Sequence, residues 1–307
     1  MTDPISAPEA PVKPRTREPL LAAALAFLVP GLGHLYAGRA ARGVVLALGG
    51  LVFSVGVLEL TRHVHARAPR LFLALLLPAA LLWIIWDAAR AAARERHAFI
   101  PRRYHRWYVY AAWVVAGELL AQLGFAAIVQ NVARAYQIPS TAMQPSLLQG
   151  DFILASPRPP ARIRRGAVVI YGDGSGQAYV KRVVAVPGDV VEMRKKVLWL
   201  NGRPVREPYA RRIDPFAAPP QEEMLWQREY LARPAAGEYA PTRDDWGPLR
   251  VPRDAYFMLG DDRDNSLDSR WLGFVGRVWI VGEPAWIYFS REPGGPTRWS
   301  RIGADVR

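Results

Sequence analysis

Up to about residue 131 the chain runs in long apolar stretches joined by basic linkers, and beyond it in short β-rich runs divided by Pro, Gly, Asp and Arg. The first apolar stretch, Leu20–Pro30, leads into Gly31-Leu-Gly-His-Leu-Tyr-Ala-Gly38. It falls short of the ~20 residues of a membrane span and predicts a re-entrant or half-buried helix. Val44–Leu60 and Leu71–Trp86, separated by residues 61–70, read as membrane helices, and Tyr108–Gln130 is the best span. Its start carries Trp107, Tyr108, Tyr110 and Trp113, as interfacial anchors require. Three or four membrane-associated helices are therefore expected over residues 20–130, after a Pro-, Ala- and charge-rich tail, 1–19, that predicts disorder. Glu118 falls mid-span, where an ionisable group is a candidate for function; the favoured reading is that it is neutralised or paired with Gln122, one turn on.

After this hinge at about residue 131, Asp151–Ala155, Ala167–Tyr171, Tyr179–Val186, Val190–Met193, Val197–Leu200, Ala255–Leu259 and Val278–Phe289 predict strands of a mainly antiparallel β domain, residues 131–290. Asn201-Gly202 predicts a tight hairpin because both residues tolerate positive φ, and Pro187-Gly188-Asp189 predicts a turn. Residues 207–250, dense in Pro and charge, read as an inserted, partly irregular subdomain, and 291–307 as a C-terminal tail.

Composition narrows the function. A net charge of +13 invites a nucleic-acid reading, but no nucleic-acid motif accompanies it and many arginines flank apolar runs. No nucleic-acid partner is expected; lipid headgroups are. Arg90, Arg94, Arg96, Arg102, Arg103 and Arg106 between the third and fourth runs place that loop in the cytoplasm and residues 131–307 on the outer face of a cytoplasmic membrane. Whether the N-terminus is inside or outside follows from three crossings or four, a choice left open. A cleaved leader is not expected, since the apolar run begins late and further spans follow. There is no cysteine, and all five histidines precede the hinge. A Ser-His-Asp triad or a His-ligated zinc within the β region is excluded, and neither metal nor cofactor is expected.

Two stretches of the β region carry chemistry by residue type. In Tyr179-Val-Lys-Arg-Val-Val-Ala-Val-Pro-Gly-Asp189, strand alternation puts Lys181 and Val183 on one face, where burial would favour a neutral amine able to act as a base. Arginine could not do this, since its pKa stays above about 12. A solvated strand lysine is the competing account. Gly260-Asp-Asp-Arg-Asp-Asn-Ser-Leu-Asp-Ser-Arg-Trp-Leu-Gly-Phe274 would otherwise read as self-satisfying turns; it lacks the ligand spacing of a calcium loop.

Together with Ile138-Pro-Ser-Thr-Ala-Met-Gln-Pro-Ser-Leu-Leu-Gln-Gly-Asp151, these segments resemble three boxes of the bacterial type I signal peptidases (leader peptidases), Ser/Lys-dyad serine endopeptidases. The third box matches the pattern Gly-Asp-Asn-x-x-Asn-Ser-x-Asp-Ser-Arg-x-x-Gly almost throughout. The resemblance covers roughly 131–290 and implies cleavage of signal peptides from secreted preproteins after small residues at −1 and −3. It implies Lys181 as general base, Ser140 in the oxyanion hole, Ser266 orienting Lys181, and Asp268 with Arg270 as a supporting ion pair. The family's nucleophilic serine, just before the Met, is here Ala142. Without that hydroxyl the covalent mechanism has no attacking group. Three accounts stand at this point: a natural paralogue that binds or regulates preproteins as a scaffold, a laboratory Ser→Ala substitution, or recruitment of Ser140, Thr141 or Ser146. A self-cleaving repressor of the DNA-damage type shares the Ser/Lys chemistry, but the apolar spans and the lack of a helix-turn-helix pattern argue against it.

Overall fold

The computed structural model describes residues 16–95, 99, 101, 104–235 and 237–306. Residues 1–15 of the expected disordered tail, with Arg96, Arg102 and Arg103 of the basic loop, lie outside the described residues. The chain divides into two compact units, Met1–Ile128 and Val129–Arg307.

The first unit is helical: α1 (Pro19–Leu28), α2 (Leu32–Tyr36), α3 (Ala40–His63), α4 (Arg67–Arg94) and α5 (Trp107–Asn131). The last three, at 24, 28 and 25 residues, are long and apolar enough to cross a membrane. The first apolar run is not a span. It breaks at Gly31, whose φ of +88° is open to glycine, and α2 doubles back. The folded-back turn is tight: a Cβ on Gly33 would lie 2.1 Å from the Ala22 carbonyl oxygen, and one on Gly31 2.4 Å from that of Gly43. Buried His34 on α2 donates or accepts at 2.9 Å with Asp87 Oδ2 of α4, while Arg42 of α3 donates to Asp87 Oδ1 at 2.8 Å. Glu118 accepts from Gln122 Nε2 at 3.0 Å on an exposed face of α5.

The second unit is antiparallel β throughout its paired strands. In chain order these are β1 (Arg134–Gln137), β2 (Asp151–Ala155), β3 (Val168–Gly172), β4 (Ala178–Ala185), β5 (Val190–Arg194), β6 (Val197–Leu200), β7 (Arg203–Pro204), β8 (Trp246–Arg250), β9 (Ala255–Leu259), β10 (Val275–Gly276), β11 (Ile280–Gly282) and β12 (Pro284–Ser290), with a one-turn helix α6 (Ser269–Leu272) after β9. They form sheets ordered β1-β2-β12, β10-β9-β4-β3-β11 and β7-β6-β5-β8. The mainly β domain behind a helical region is thus as the sequence implies. The hairpin at Asn201-Gly202 forms with φ of 51° and 79°, closing β6 onto β7.

Three details depart from the pattern reading. The expected strand Val278–Phe289 is broken into a 3₁₀ turn (Arg277–Trp279), β11 and β12. The chain passes from one sheet to another between β11 and β12, and there the Gly282 backbone lies so close to Ser156 that a Cβ would sit 2.2 Å from that carbonyl oxygen. The irregular stretch 207–250 ends in a strand, β8, paired with β5. Its Gly247-Pro248 masks the signal, but β8 is a sheet edge, where proline needs no ladder partner. β1, just before the first motif, is too short to be read from pattern and is held by its register with β2, Tyr136 opposite Ile153.

Candidate active site

β4 is central in the five-stranded sheet, between β3 and β9, and alternation along it aims successive side chains at opposite faces. Val183 joins a core with Val169, Tyr171 and Met258, while Val180 packs on the other, with Ile153 and Ile170. Lys181 and Arg182 follow the same alternation and both are buried. Arg182 makes a two-pronged pair with Asp261, both bonds 2.7 Å, and its guanidinium lies 4.0 Å over the Tyr209 ring.

Lys181 ends differently. Its Nζ donates to Ser266 Oγ at 2.8 Å, and among the described residues no carboxylate lies within ion-pair distance of it. Burial pushes the Lys181 amine below its ordinary value of 10.5, since removal from water penalises the ammonium; the negative field of Asp268 opposes this without reversing it.

Ser266 is placed by a loop folded against the end of β9. Asp268 caps α6, accepting from the Arg270 backbone N–H at 3.3 Å, and accepts from Gly260 N at 3.0 Å. Its carboxylate pairs with Arg270, 2.8 and 2.9 Å. Burial works against the Asp268 charge, yet Arg270, by charge and hydrogen bond, together with Lys181 and the Gly260 N–H, holds it below the usual carboxylate range. Arg270 also donates to the carbonyl oxygens of Arg263 (2.7 Å) and Ser266 (3.3 Å), so the segment before α6 is fixed by its own backbone.

Gly260 is where the first and third motifs meet. A Cβ there would lie 2.1 Å from Ser266 Oγ and 2.5 Å from the Ala142 carbonyl oxygen, so no larger residue fits. Those two oxygens therefore lie within the sum of these distances, and Ser266 Oγ is itself in contact with Lys181. The Ala142 carbonyl accepts from Asp262 N at 3.1 Å. Thr141 Oγ1 accepts from Asn265 Nδ2 at 2.7 Å, Ser146 Oγ from Arg182 Nη2 at 3.1 Å, and Ser140 is exposed. Ala142, Lys181, Ser266, Asp268 and Arg270 are thus assembled from three distant stretches of chain.

The model of signal peptidase, peptidase S26, matches residues 109–289. The chain belongs to that family. Signal peptidase I of Bacillus licheniformis is 32% identical over 158 residues, 50% of this chain and 75% of the relative. Signal peptidase I T of Bacillus subtilis (strain 168) is 32% identical over 187 residues, 59% of this chain and 86% of the relative. A solved signal peptidase I from Enterococcus faecalis V583 is 27% identical and covers 40% of this chain and 96% of that one, with a TM-score, 0.27, too low to bear on the fold. The signal peptidase I family is membrane-anchored, in keeping with the three long apolar helices.

Several site residues escaped the reading of motifs. Asp261 and Asp262 passed as part of a matching box, with no signal that Asp261 holds Arg182. The stretch 207–250 reads as a partly irregular insertion, yet Glu207 pairs with Arg263 through two bonds of 2.7 and 2.6 Å. The C-terminal residues reach the first motif as well: Arg301 donates to Ser146 O at 2.9 Å and Asp151 Oδ2 at 2.6 Å. These partners lie far along the chain, and nothing in the local pattern signals them.

Proposed function

We propose that this chain receives signal-peptide-bearing preproteins at the outer face of a cytoplasmic membrane and, as the sequence stands, does not cut them by the Ser/Lys route. The observation that carries the reading is the buried 2.8 Å contact of Lys181 Nζ with Ser266 Oγ, set beside a position 142 that has no hydroxyl. A desolvated amine oriented by a hydroxyl is a poised base. Its proton donor is what Ala142 lacks.

With a serine at 142, the hydroxyl would attack the scissile carbonyl while Lys181 takes its proton. The Ser140 hydroxyl and backbone N–H groups would hold the oxyanion, and Lys181 would return the proton to the leaving amine. Water would then hydrolyse the acyl-enzyme, Lys181 again taking the proton. Asp268 and Arg270 serve by fixing the loop that carries Ser266. Thr141 and Ser146 are engaged by Asn265 and Arg182, which weighs against their recruitment as nucleophile.

The test is cleavage of a preprotein with an Ala-x-Ala site by the purified protein in detergent, beside its Ala142→Ser form. We expect cleavage by the Ala142→Ser form alone, faster by at least about 10⁴-fold, the scale of a lost serine nucleophile. Equal cleavage by both would move the nucleophile to another hydroxyl, and Ser140→Ala would then be the variant to examine. The same chain without cleavage remains a preprotein-binding scaffold, which capture of uncut preprotein would reveal.

A further inference from the structure

Asp262 stands where the signal peptidase pattern has an amide, Gly-Asp-Asn against Gly260-Asp261-Asp262. The acid is 1% exposed, and among the described residues its Oδ1 has no hydrogen-bond partner. Its Oδ2 faces Arg211 Nη1 at 3.3 Å, and the same Nη1 donates to Gln144 Oε1. Arg211 comes from the stretch that the sequence sets aside as an insertion.

The backbone of that stretch is sewn along the third motif. Arg211 N donates to Asp261 O at 2.7 Å and Arg263 N donates to Arg211 O at 3.0 Å, so residue 211 is bracketed on both sides. Ile213 N and Asp214 N both donate to Asp264 Oδ2, at 2.6 and 2.9 Å. Glu207 closes the near end on Arg263. Seen from position 142, Asp262 is held twice: its N–H binds the Ala142 carbonyl, and its carboxylate is joined through Arg211 to Gln144, two residues on.

We propose that Arg211 is a positioning residue that latches the 142–144 loop to the third motif, with its charge required because residue 262 is an acid in this chain. The latch sets where residue 142 sits relative to Ser266 and Lys181, and in this it rests on the hydrolytic reading of that site. Among the described residues Arg211 is the one cation paired with Asp262, so removing it leaves a buried carboxylate without that counter-charge, and such a group is far more costly than a buried neutral amide. The two substitutions must therefore be coupled. Arg211→Ala is severe while Asp262 is present and mild once Asp262→Asn has removed the charge.

The experiment is a cycle of Arg211→Ala, Asp262→Asn and the double variant, each made in the chain as it is and in its Ala142→Ser form. Amide hydrogen exchange over 141–144 and 260–263 reads the latch without any catalysis. We expect Arg211→Ala to speed exchange at the Asp262 N–H by about 10-fold or more, with β3 and β4 amides unchanged, and the same substitution to add less than about 3-fold on the Asp262→Asn background. In the Ala142→Ser form, Arg211→Ala lowers kcat for an Ala-x-Ala preprotein by about 10- to 100-fold with KM little changed, the scale of a small misplacement, and Asp262→Asn restores most of it. Arg211→Gln, which keeps an amide for Gln144 without the charge, follows the alanine variant. Unchanged exchange at Asp262, or an equal Arg211→Ala penalty with and without Asp262→Asn, overturns the latch. Failure of the Ala142→Ser form to cleave would sink the hydrolytic reading instead, and the exchange arm still decides the latch.

Discussion

Asp87 in the helical unit and Lys181 in the β unit are both buried ionisable groups, and they are satisfied in opposite ways. Each Asp87 oxygen has a partner of its own, His34 on one side and Arg42 on the other. That closed arrangement stitches α2, α3 and α4 and leaves the carboxylate nothing further to do. In the β unit the arginines are equally closed, Arg182 on Asp261, Arg263 on Glu207 and Arg270 on Asp268. Lys181, among them, contacts a hydroxyl. A fully matched charge is structural; a cation left on a neutral partner is cheap to deprotonate, and this is the property that a base needs.

The strongest way to break the comparison is to remove the unmatched cation. In the Ala142→Ser form, Lys181→Met should lower kcat by about 10³-fold or more, near the upper range of general-base catalysis. Before that change, cleavage should rise with pH as Lys181 loses its proton, with a midpoint below the ordinary lysine value of 10.5, because burial lowers it. The sign for stability is the same. Between the depressed folded value and 10.5 the unfolded chain carries the proton and the folded chain does not. The contribution of Lys181 to the stability of the β unit therefore rises with pH across that window and is flat on either side of it. Chemical denaturation at a series of pH values checks this, and Lys181→Met should abolish the slope. A slope that survives the substitution would mean that Lys181 is not the group responsible.

Next in size is the matched pair. Asp268→Asn leaves Arg270, 1% exposed, without its counter-charge and should cost about 3–5 kcal/mol by denaturant unfolding. Replacing both partners by apolar residues should cost less than either single change, because no orphan charge is left behind. Asp87→Asn is the corresponding change in the helical unit. We expect a smaller loss, about 1–3 kcal/mol by melting in detergent, since the Arg42 side chain is 43% exposed and water takes over its solvation. If Asp87→Asn were as damaging as Asp268→Asn, exposure of the partner would not be what separates the two sites.

The parts of the molecule legible in the sequence are those set by local pattern or by short motifs. Apolar runs located α3, α4 and α5, and alternation located the strands that face a core, including β4 with Lys181. What escaped depends on partners far along the chain. β8 contains Gly247-Pro248 and exists as a strand because β5 lies beside it; Glu207 and Arg211 are ordinary charged residues until the fold brings them to Arg263 and Asp262. The first apolar run was ambiguous for a related reason. Its length falls below a span, but only the close approach of Gly31 to Gly43 and of Gly33 to Ala22 decides that it turns back.

The smallest expected effect concerns Glu118, the acid within α5. A carboxylate at membrane depth costs about 2.5–3.5 kcal/mol by insertion scales when it has no help, which makes it a candidate for function. Here it accepts a 3.0 Å bond from Gln122 one turn on, along an exposed helix face. An i,i+4 pair of this kind contributes a few tenths of a kcal/mol. Glu118→Gln keeps an acceptor oxygen for Gln122 and removes the charge, so the two consequences oppose each other. Melting in detergent should move by no more than the equivalent of about 0.5 kcal/mol, and cleavage by the Ala142→Ser form should stay within about twofold. A large loss of cleavage with unchanged melting would place Glu118 with Lys181, as a charge kept for work, and the division between matched and unmatched groups would no longer follow the boundary between the two units.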